Sequence, residues 1–224
     1  MLIQDRLKSF VLRKGRITSN QKRAINELWE RFVIDGSRDL ESSWAEKPSA
    51  LDIGFGAGET TIHLAKTKPE MSVLGAEVYL SGIGSLLSKA DEESLNNISI
   101  LNEDVAPFLE ERVPDDCFNL ILMFYPDPWP KRKHHKRRLI QLPFIEDLAK
   151  CVCSNGFCHL VTDWDQYADW IDSVFSISDS WQKGIANPHQ SEWLEKRSIT
   201  RFEERGIKLG NKISEFLFTC VRSN

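Results

Sequence analysis

From residue 48 onward, short apolar runs alternate with longer stretches whose apolar residues recur at helical spacing. The runs at 50–54, 72–76, 98–101, 118–124 and 156–162 predict strands. Helices are predicted between them at 59–67, 82–95, 106–112 and 139–152. Strands that are apolar throughout and separated by helices belong to a parallel sheet covered on both faces, and such sheets bind ligands at the carboxyl ends of their strands. After Trp164 the pattern loosens through a helix at 167–175 and a polar segment ending near Ser198. A last strand at 212–221 is expected to close an edge of the sheet. Ahead of all this, Ser19 is placed to cap a helix at 20–33, with Ala24, Leu28, Trp29 and Phe32 on one face and Gly36 and Ser37 ending it. No internal repeat or low-complexity linker is present, so the division expected is a basic arm and helix at 1–36 followed by one domain at 37–224.

Composition adds little to that picture and charge adds more. Hydrophobic residues make up 41% and charged residues 28% of the 224, as in an ordinary globular protein. No run approaches the roughly 18 apolar residues of a spanning helix, and residues 1–16 lack the apolar centre of a secretory signal, so a cytoplasmic location is expected. The five cysteines lack paired metal-site spacing and are expected to be buried free thiols, with no metal site. Net charge is −4, yet residues 131–138 hold six Lys/Arg and no acid. The flexible arm containing Arg13, Lys14 and Arg16 is basic too. Two cationic segments on an acidic body form an oriented patch if the fold brings them together.

The candidate chemistry lies at predicted strand ends. The first strand runs into Asp52-Ile-Gly54-Phe-Gly56-Ala-Gly58, and glycines there permit a tight turn and close approach of a ligand to the backbone. An acid two residues before the first glycine suits a ligand with a cationic amine better than a pyrophosphate. Glu77 ends the second strand, 25 residues on, where a carboxylate can accept from both hydroxyls of a ribose. Asp104 follows the third strand, and the resemblance of the glycine loop to motif I of the Rossmann-like S-adenosylmethionine methyltransferases implies that it faces an adenine amino group. The fourth strand leads into Phe124-Tyr-Pro-Asp-Pro-Trp-Pro130, which holds Asp127 between two prolines.

With these residues in hand, the chain closely resembles the bacterial tRNA (guanine-N7-)-methyltransferases. The resemblance rests on LDIGFGAG (51–58), GAEVYLSGI (75–83), FYPDPWPKRKHHKRR (124–138), TDWDQYA (162–168) and TRFEERGIKLGN (200–211), with a fainter match at RKGRIT. It implies a Rossmann-like class I methyltransferase fold with a mostly parallel seven-stranded sheet. It also implies S-adenosylmethionine as cofactor, held by Asp52, Gly54, Gly56, Gly58, Glu77, Asp104 and Asp127, and methylation of a guanosine at position 46 of the tRNA variable loop. Asp127 matches the catalytic position. Lys131, Asp163, Thr200, Arg201, Phe202 and Glu203 match substrate-contacting positions, and Lys133, His134, His135, Lys136, Arg137 and Arg138 match the RNA-contacting segment. Tyr125, Arg201 and Asn211 depart from the family's usual Phe, Lys and His, which leaves the contacts at 201 and 211 open.

The chemistry implied fits these residue types. Guanine N7 has an in-plane lone pair and no proton, so Asp127 is expected to orient and to offset charge rather than to abstract a proton. Asp163 and Glu203 can accept from the guanine Watson-Crick edge, and Trp129, Trp164 or Phe202 can stack on the base. The expected partner is tRNA, with no membrane, and the choice between monomer and homodimer stays open. Two other readings remain: an amino-methyltransferase on another RNA or DNA base, since Asp-Pro-Trp faintly resembles the Asp/Asn-Pro-Pro-aromatic motif of such enzymes although its second proline follows the aromatic, and a non-catalytic RNA-binding protein on the same scaffold.

Overall fold

A computed structural model of the chain describes residues 7–11, 15–184, 192–193, 197 and 199–221. Seven strands form one sheet in the order β3-β2-β1-β4-β5-β7-β6: β1 (Ser49–Ile53), β2 (Ser72–Ala76), β3 (Ile98–Leu101), β4 (Phe118–Phe124), β5 (Val152–Thr162), β6 (Trp181–Lys183) and β7 (Ser214–Cys220). The first five are parallel, and β7 is antiparallel to both β5 and β6. The helices are α1 (Ser19–Phe32), α2 (Glu59–Thr67), α3 (Leu80–Glu92), α4 (Val105–Arg112), α5 (Leu142–Cys151), α6 (Asp165–Ser176) and α7 (Arg201–Lys208).

Every residue of β1 is buried because both of its faces are covered. Alternate side chains feed two cores: Ala50, Leu120 and Leu122 pack toward α1, α2 and α3, while Leu51, Ile53, Ile121 and Met123 pack toward α4, α5 and α6. From β1 the chain proceeds outward to β2 and β3, then returns to place β4 on the other side of β1. The strand order therefore reverses between β1 and β4, and a crevice opens at their carboxyl ends.

Three expectations change. The terminal strand β7 lies inside the sheet, and the edge is the three-residue β6, too short to show a period in sequence. The cap of α1 is Thr18 rather than Ser19, in a reciprocal capping box with Gln21. None of the five cysteines is in a disulfide, but Cys153 is only partly buried. Arg13 and Lys14 of the expected basic arm lie outside the described residues, while 7–11 packs over the crevice. No helix among the described residues is long and apolar enough to cross a membrane.

Helix α1 packs on α3, and the chain leaving it bridges β3 at Val33, with Ile34 N–H donating to Ile100 O at 2.9 Å. Gln21 Nε2 donates to Ser81 O at 3.0 Å and to Ser85 Oγ at 2.9 Å. At the crossing, a Cβ on Gly84 would lie 2.8 Å from Gln21 Cβ and 2.9 Å from Gln21 O. Overpacking costs about 1–3 kcal/mol and alanine regains about 1 kcal/mol of helix propensity, so Gly84→Ala should destabilise the protein by up to about 2 kcal/mol. A urea unfolding midpoint equal to or above that of the wild type would contradict this close approach.

Candidate active site

The loop after β1 turns through three left-handed glycines, Gly54 (φ +71°), Gly56 (φ +58°) and Gly58 (φ +75°). A Cβ on Gly58 would meet Leu86 of α3 at 2.7 Å, but one on Gly54 or Gly56 would meet nothing within 4 Å. The first glycine's neighbours thus leave open space over the loop, while the last packs the following helix.

That space belongs to two adjoining cavities. One, of about 180 Å³, is lined by Gly54, Glu77, Asp104, Tyr125 and Asp127 and roofed by Ser9 and Phe10. The other, of about 290 Å³, is lined by Asp52, Gly56, Thr60, Tyr125, Thr200 and Phe202. Asp52 is buried and accepts from Thr61 Oγ1 at 2.7 Å. Its burial, reinforced by nearby Glu77, overrides that bond and pushes its pKa up to about 7. Glu77 is also buried, and burial holds its pKa above the ordinary carboxylate value. Its oxygens accept from the backbone N–H groups of Gly56 (3.0 Å), Val78 (2.7 Å) and Tyr79 (3.0 Å). Asp104 caps α4 through Ala106 N–H at 3.2 Å while still lining the first cavity.

Opposite the glycine loop, β4 ends in a stiff turn. Tyr125 (φ +54°) and Trp129 (φ +45°) adopt left-handed conformations, each directly before a proline, and they bracket Asp127. Such conformations cost of order 1–3 kcal/mol each and persist only where their surroundings hold them. Here Tyr125 N–H donates to Val161 O at 2.7 Å, and Arg138 Nε donates to Pro128 O at 2.9 Å. Trp129 Nε1 donates to Ser9 O at 2.8 Å, so its ring is used under residues 7–11 rather than offered to a base. Tyr79 OH donates to Val11 O at 2.7 Å on the same segment.

The basic run forms a 3₁₀ turn at Arg132–Arg137 and divides by exposure. Lys131, Arg132, Lys133 and Lys136 project into solvent. Arg132, which the motif comparison passed over, joins this set. Arg137 stacks on Trp129 at 5.3 Å, and half-buried His134 meets the same ring edge-on. Burial together with Lys133, Arg137 and Lys131 holds His134 below the ordinary histidine range. His135 lies beside Trp170. Arg138 departs from the expected RNA contact: it is 3% exposed, and its guanidinium packs on Tyr167 and Trp170 at 5.1 and 5.2 Å.

The segment at 200–203 also divides. Thr200 caps α7 by accepting from Glu203 N–H at 3.2 Å. Arg201 is tied to α2, with its N–H donating to Glu59 Oε2 at 3.0 Å and its Nε to Glu59 Oε1 at 2.7 Å. Phe202 is 66% exposed and stacks on Tyr125 at 6.3 Å, at the mouth of the second cavity. Glu203 departs from the expected base contact. It is 5% exposed, and both its oxygens accept from Arg197 at 2.8 Å. Asp163 sits against α7 and accepts from Asn211 Nδ2 at 3.0 Å, so the departure at 211 supplies a local tie.

A family model described as "Putative methyltransferase" matches residues 46–216. The tRNA (guanine-N(7)-)-methyltransferase of Cupriavidus pinatubonensis is 38% identical over 218 residues, covering 95% of this chain and 85% of that protein. That of Shigella boydii is 35% identical over 221 residues, covering 97% and 92%. Among solved structures, the 16S rRNA methyltransferase KamB superposes with a TM-score of 0.54 at 13% identity, over 97% of this chain and 99% of that one. An rRNA methylase from Streptococcus thermophilus gives 0.51 at 12%, over 80% and 92%. Such low identities speak to the fold alone, which is that of a Rossmann-like methyltransferase. The sequence matches go further, since they span nearly the whole chain at 35% and 38% identity, and they place it in the tRNA (guanine-N(7)-)-methyltransferase family.

Proposed function

We propose that this protein transfers a methyl group from S-adenosylmethionine to N7 of a guanosine in tRNA, at position 46 of the variable loop. The observation that carries the reading is one juxtaposition. A paired cavity lined by acids at the ends of β1, β2 and β3 meets the rigid Asp127 turn at the end of β4, and four exposed cations follow within nine residues of Asp127.

The residues present fit the cofactor. Gly54 and Gly56 leave room where any side chain would project, and three carboxylates face an elongated space that suits an amine and a sulfonium. Asp52 would hold the amine. Glu77 has four lone-pair positions, of which backbone N–H groups take three, so it has one left on Oε2 for a ribose hydroxyl rather than positions for both. Asp104, which spends one position on its helix cap, would take the adenine amino group.

When bound, S-adenosylmethionine supplies an electrophilic methyl group on a sulfonium. Guanine N7 offers a lone pair without a proton, so no side chain need act as a base. Asp127 orients the purine and offsets the positive charge that develops on it, and the prolines at 126 and 128 hold the carboxylate at low reorganisation cost. Asp163, with one oxygen on Asn211, keeps the other to accept from the Watson-Crick edge. Exposed Phe202 supplies a stacking face worth roughly 1–3 kcal/mol. Lys131, Arg132, Lys133 and Lys136 take the phosphates.

The direct test is incubation with labelled S-adenosylmethionine and a tRNA transcript, followed by digestion and identification of the nucleoside. Label should appear in 7-methylguanosine, and a transcript with 7-deazaguanosine at the target should stay unlabelled; label in N6-methyladenosine would overturn the assignment. Asp127→Ala should lower turnover by about 10²-fold or more while tRNA affinity stays within about twofold. Equal losses in both would refute an orienting role. Combined replacement of Arg132, Lys133 and Lys136 by Ala should weaken tRNA binding and flatten its log-log salt dependence by roughly 0.7–0.9 per lost phosphate contact, measured by filter binding across a salt series. A pH prediction follows from Asp52. A cationic amine favours the ionised carboxylate, so binding below pH 7 must release a proton, and cofactor affinity should fall by up to about tenfold per unit as pH drops below about 7. Calorimetry on Asp52→Asn should show weaker binding without that dependence, and an unchanged slope would exclude Asp52 as the titrating group.

A further inference from the structure

A buried histidine that takes no part in the chemistry above lies directly behind it. His159, on β5, is 0% exposed, and its ring meets Phe124 at the end of β4 edge-on at 4.8 Å. Trp193 Nε1 donates to His159 Nδ1 at 2.9 Å. An indole nitrogen can only donate, so Nδ1 must be the unprotonated nitrogen and the ring's proton must sit on Nε2. Nε2 lies 2.7 Å from Glu215 Oε1 on β7, which therefore accepts.

The chain of contacts continues toward α7. Arg197 Nε donates to the same Glu215 oxygen at 2.8 Å, and the other two guanidinium nitrogens form the paired bonds to Glu203. Arg197 also lies over the Phe124 ring at 5.7 Å. Glu203 is the third residue of α7, and its N–H is capped by Thr200. Trp193, His159, Glu215, Arg197 and Glu203 thus form one continuous relay from the sheet to the helix that carries Phe202, buried at His159, Trp193 and Glu203 and open to solvent at Glu215.

We propose that this relay positions α7 over the target base, and that it does so only while His159 holds its neutral tautomer with the proton on Nε2. His159 is a positioning residue, since it reaches the site through Arg197 and Glu203. The proposal rests on the functional reading above.

The groups facing His159 are known from each element packed on it. Glu215 comes from β7, Glu203 from α7, and Arg197 and Trp193 from the chain between β6 and α7. Burial holds the imidazole below the ordinary histidine range, against the pull of Glu215. Glu215 is in turn held below the usual carboxylate value by the bond from His159 and by Arg197. A neutral donor on an anion accounts for both directions. A group whose folded pKa is depressed contributes stability present above its unfolded pKa and lost as pH falls through the folded one, so the relay is intact at neutral pH and opens on acidification.

The experiment compares wild type, His159→Phe and Trp193→Phe by single-turnover methylation with saturating tRNA, by cofactor affinity, and by the nitrogen-15 spectrum of the tryptophan indoles across pH. Trp193→Phe keeps the aromatic packing and removes one donor, which guards against failure of His159→Phe to fold. Both variants should lose about tenfold or more in single-turnover rate while binding the cofactor within about twofold of wild type. The Trp193 indole N–H, assigned by its absence in Trp193→Phe, should titrate below the ordinary histidine range in wild type and not in His159→Phe. Variants with lower melting temperature but wild-type single-turnover rates would reduce the relay to a structural tie and overturn the proposal. An indole signal indifferent to His159 would overturn it as well. Wild-type protein that places no methyl on guanine N7 would instead defeat the functional reading, and the indole titration with direct tRNA binding by the variants would still decide the relay.

Discussion

The site depends first on the carboxylate of Glu77. Lifting a carboxylate out of water is costly, and burial duly raises its pKa. Three backbone N–H groups compensate, and they come from two separate places: Gly56 in the loop after β1, and Val78 and Tyr79 ahead of α3. One side chain therefore fixes the glycine loop to the end of β2. The helix behind closes on the same loop, since a Cβ on Gly82 would lie 2.3 Å from Gly56 O and one on Gly58 would strike Leu86. The floor of the crevice is held by the protein's own hydrogen bonds and packing, which lowers the ordering cost that an untethered loop would charge against binding.

The facing wall is held by different means. At the end of β4, covalent stiffness replaces a polar hub: two prolines restrict the backbone, and the two left-handed residues beside them store strain. What keeps that turn in place is the far end of the basic run. Arg138 turns inward, lies on Tyr167 and Trp170, and reaches back to Pro128 O. Arg138 holds the acidic turn, Arg137 stacks on Trp129, and Lys131, Arg132, Lys133 and Lys136 are left to face solvent. The two halves of the motif at 124–138 are mechanically linked as well as adjacent in sequence.

How much of this was legible in the sequence follows from the range of each interaction. The strands β2, β3 and β4 and the helix α2 were readable to the residue, because continuous apolar runs and helical spacing are local signals. So were the acids at successive strand ends, since a carboxylate after a buried strand must face the crevice. The roles of Arg138 and Glu203 were not legible. Both lie in charged segments that read as surface, and each is buried by a partner distant in the fold or of unremarkable type: Tyr167 and Trp170 for one, Arg197 for the other. No spacing rule connects His159 to Trp193 and Glu215 either. A histidine inside an apolar strand is the only local hint, because every polar group buried there needs a partner.

The division of charge explains how a cationic arm can serve an acidic pocket without neutralising it. Burial of Arg138 and stacking of Arg137 on Trp129 anchor the 3₁₀ turn, and Lys131, Arg132, Lys133 and Lys136 project from it into solvent. At physiological ionic strength, fields from exposed charges fade over about 8 Å, whereas those from buried carboxylates are screened much less. A phosphate is drawn to the arm and repelled from the crevice, but a guanine carries no net charge and is subject to neither force. On the proposed function, charges that capture an RNA backbone would hold it at the rim, and the group that enters the crevice would be a single neutral base.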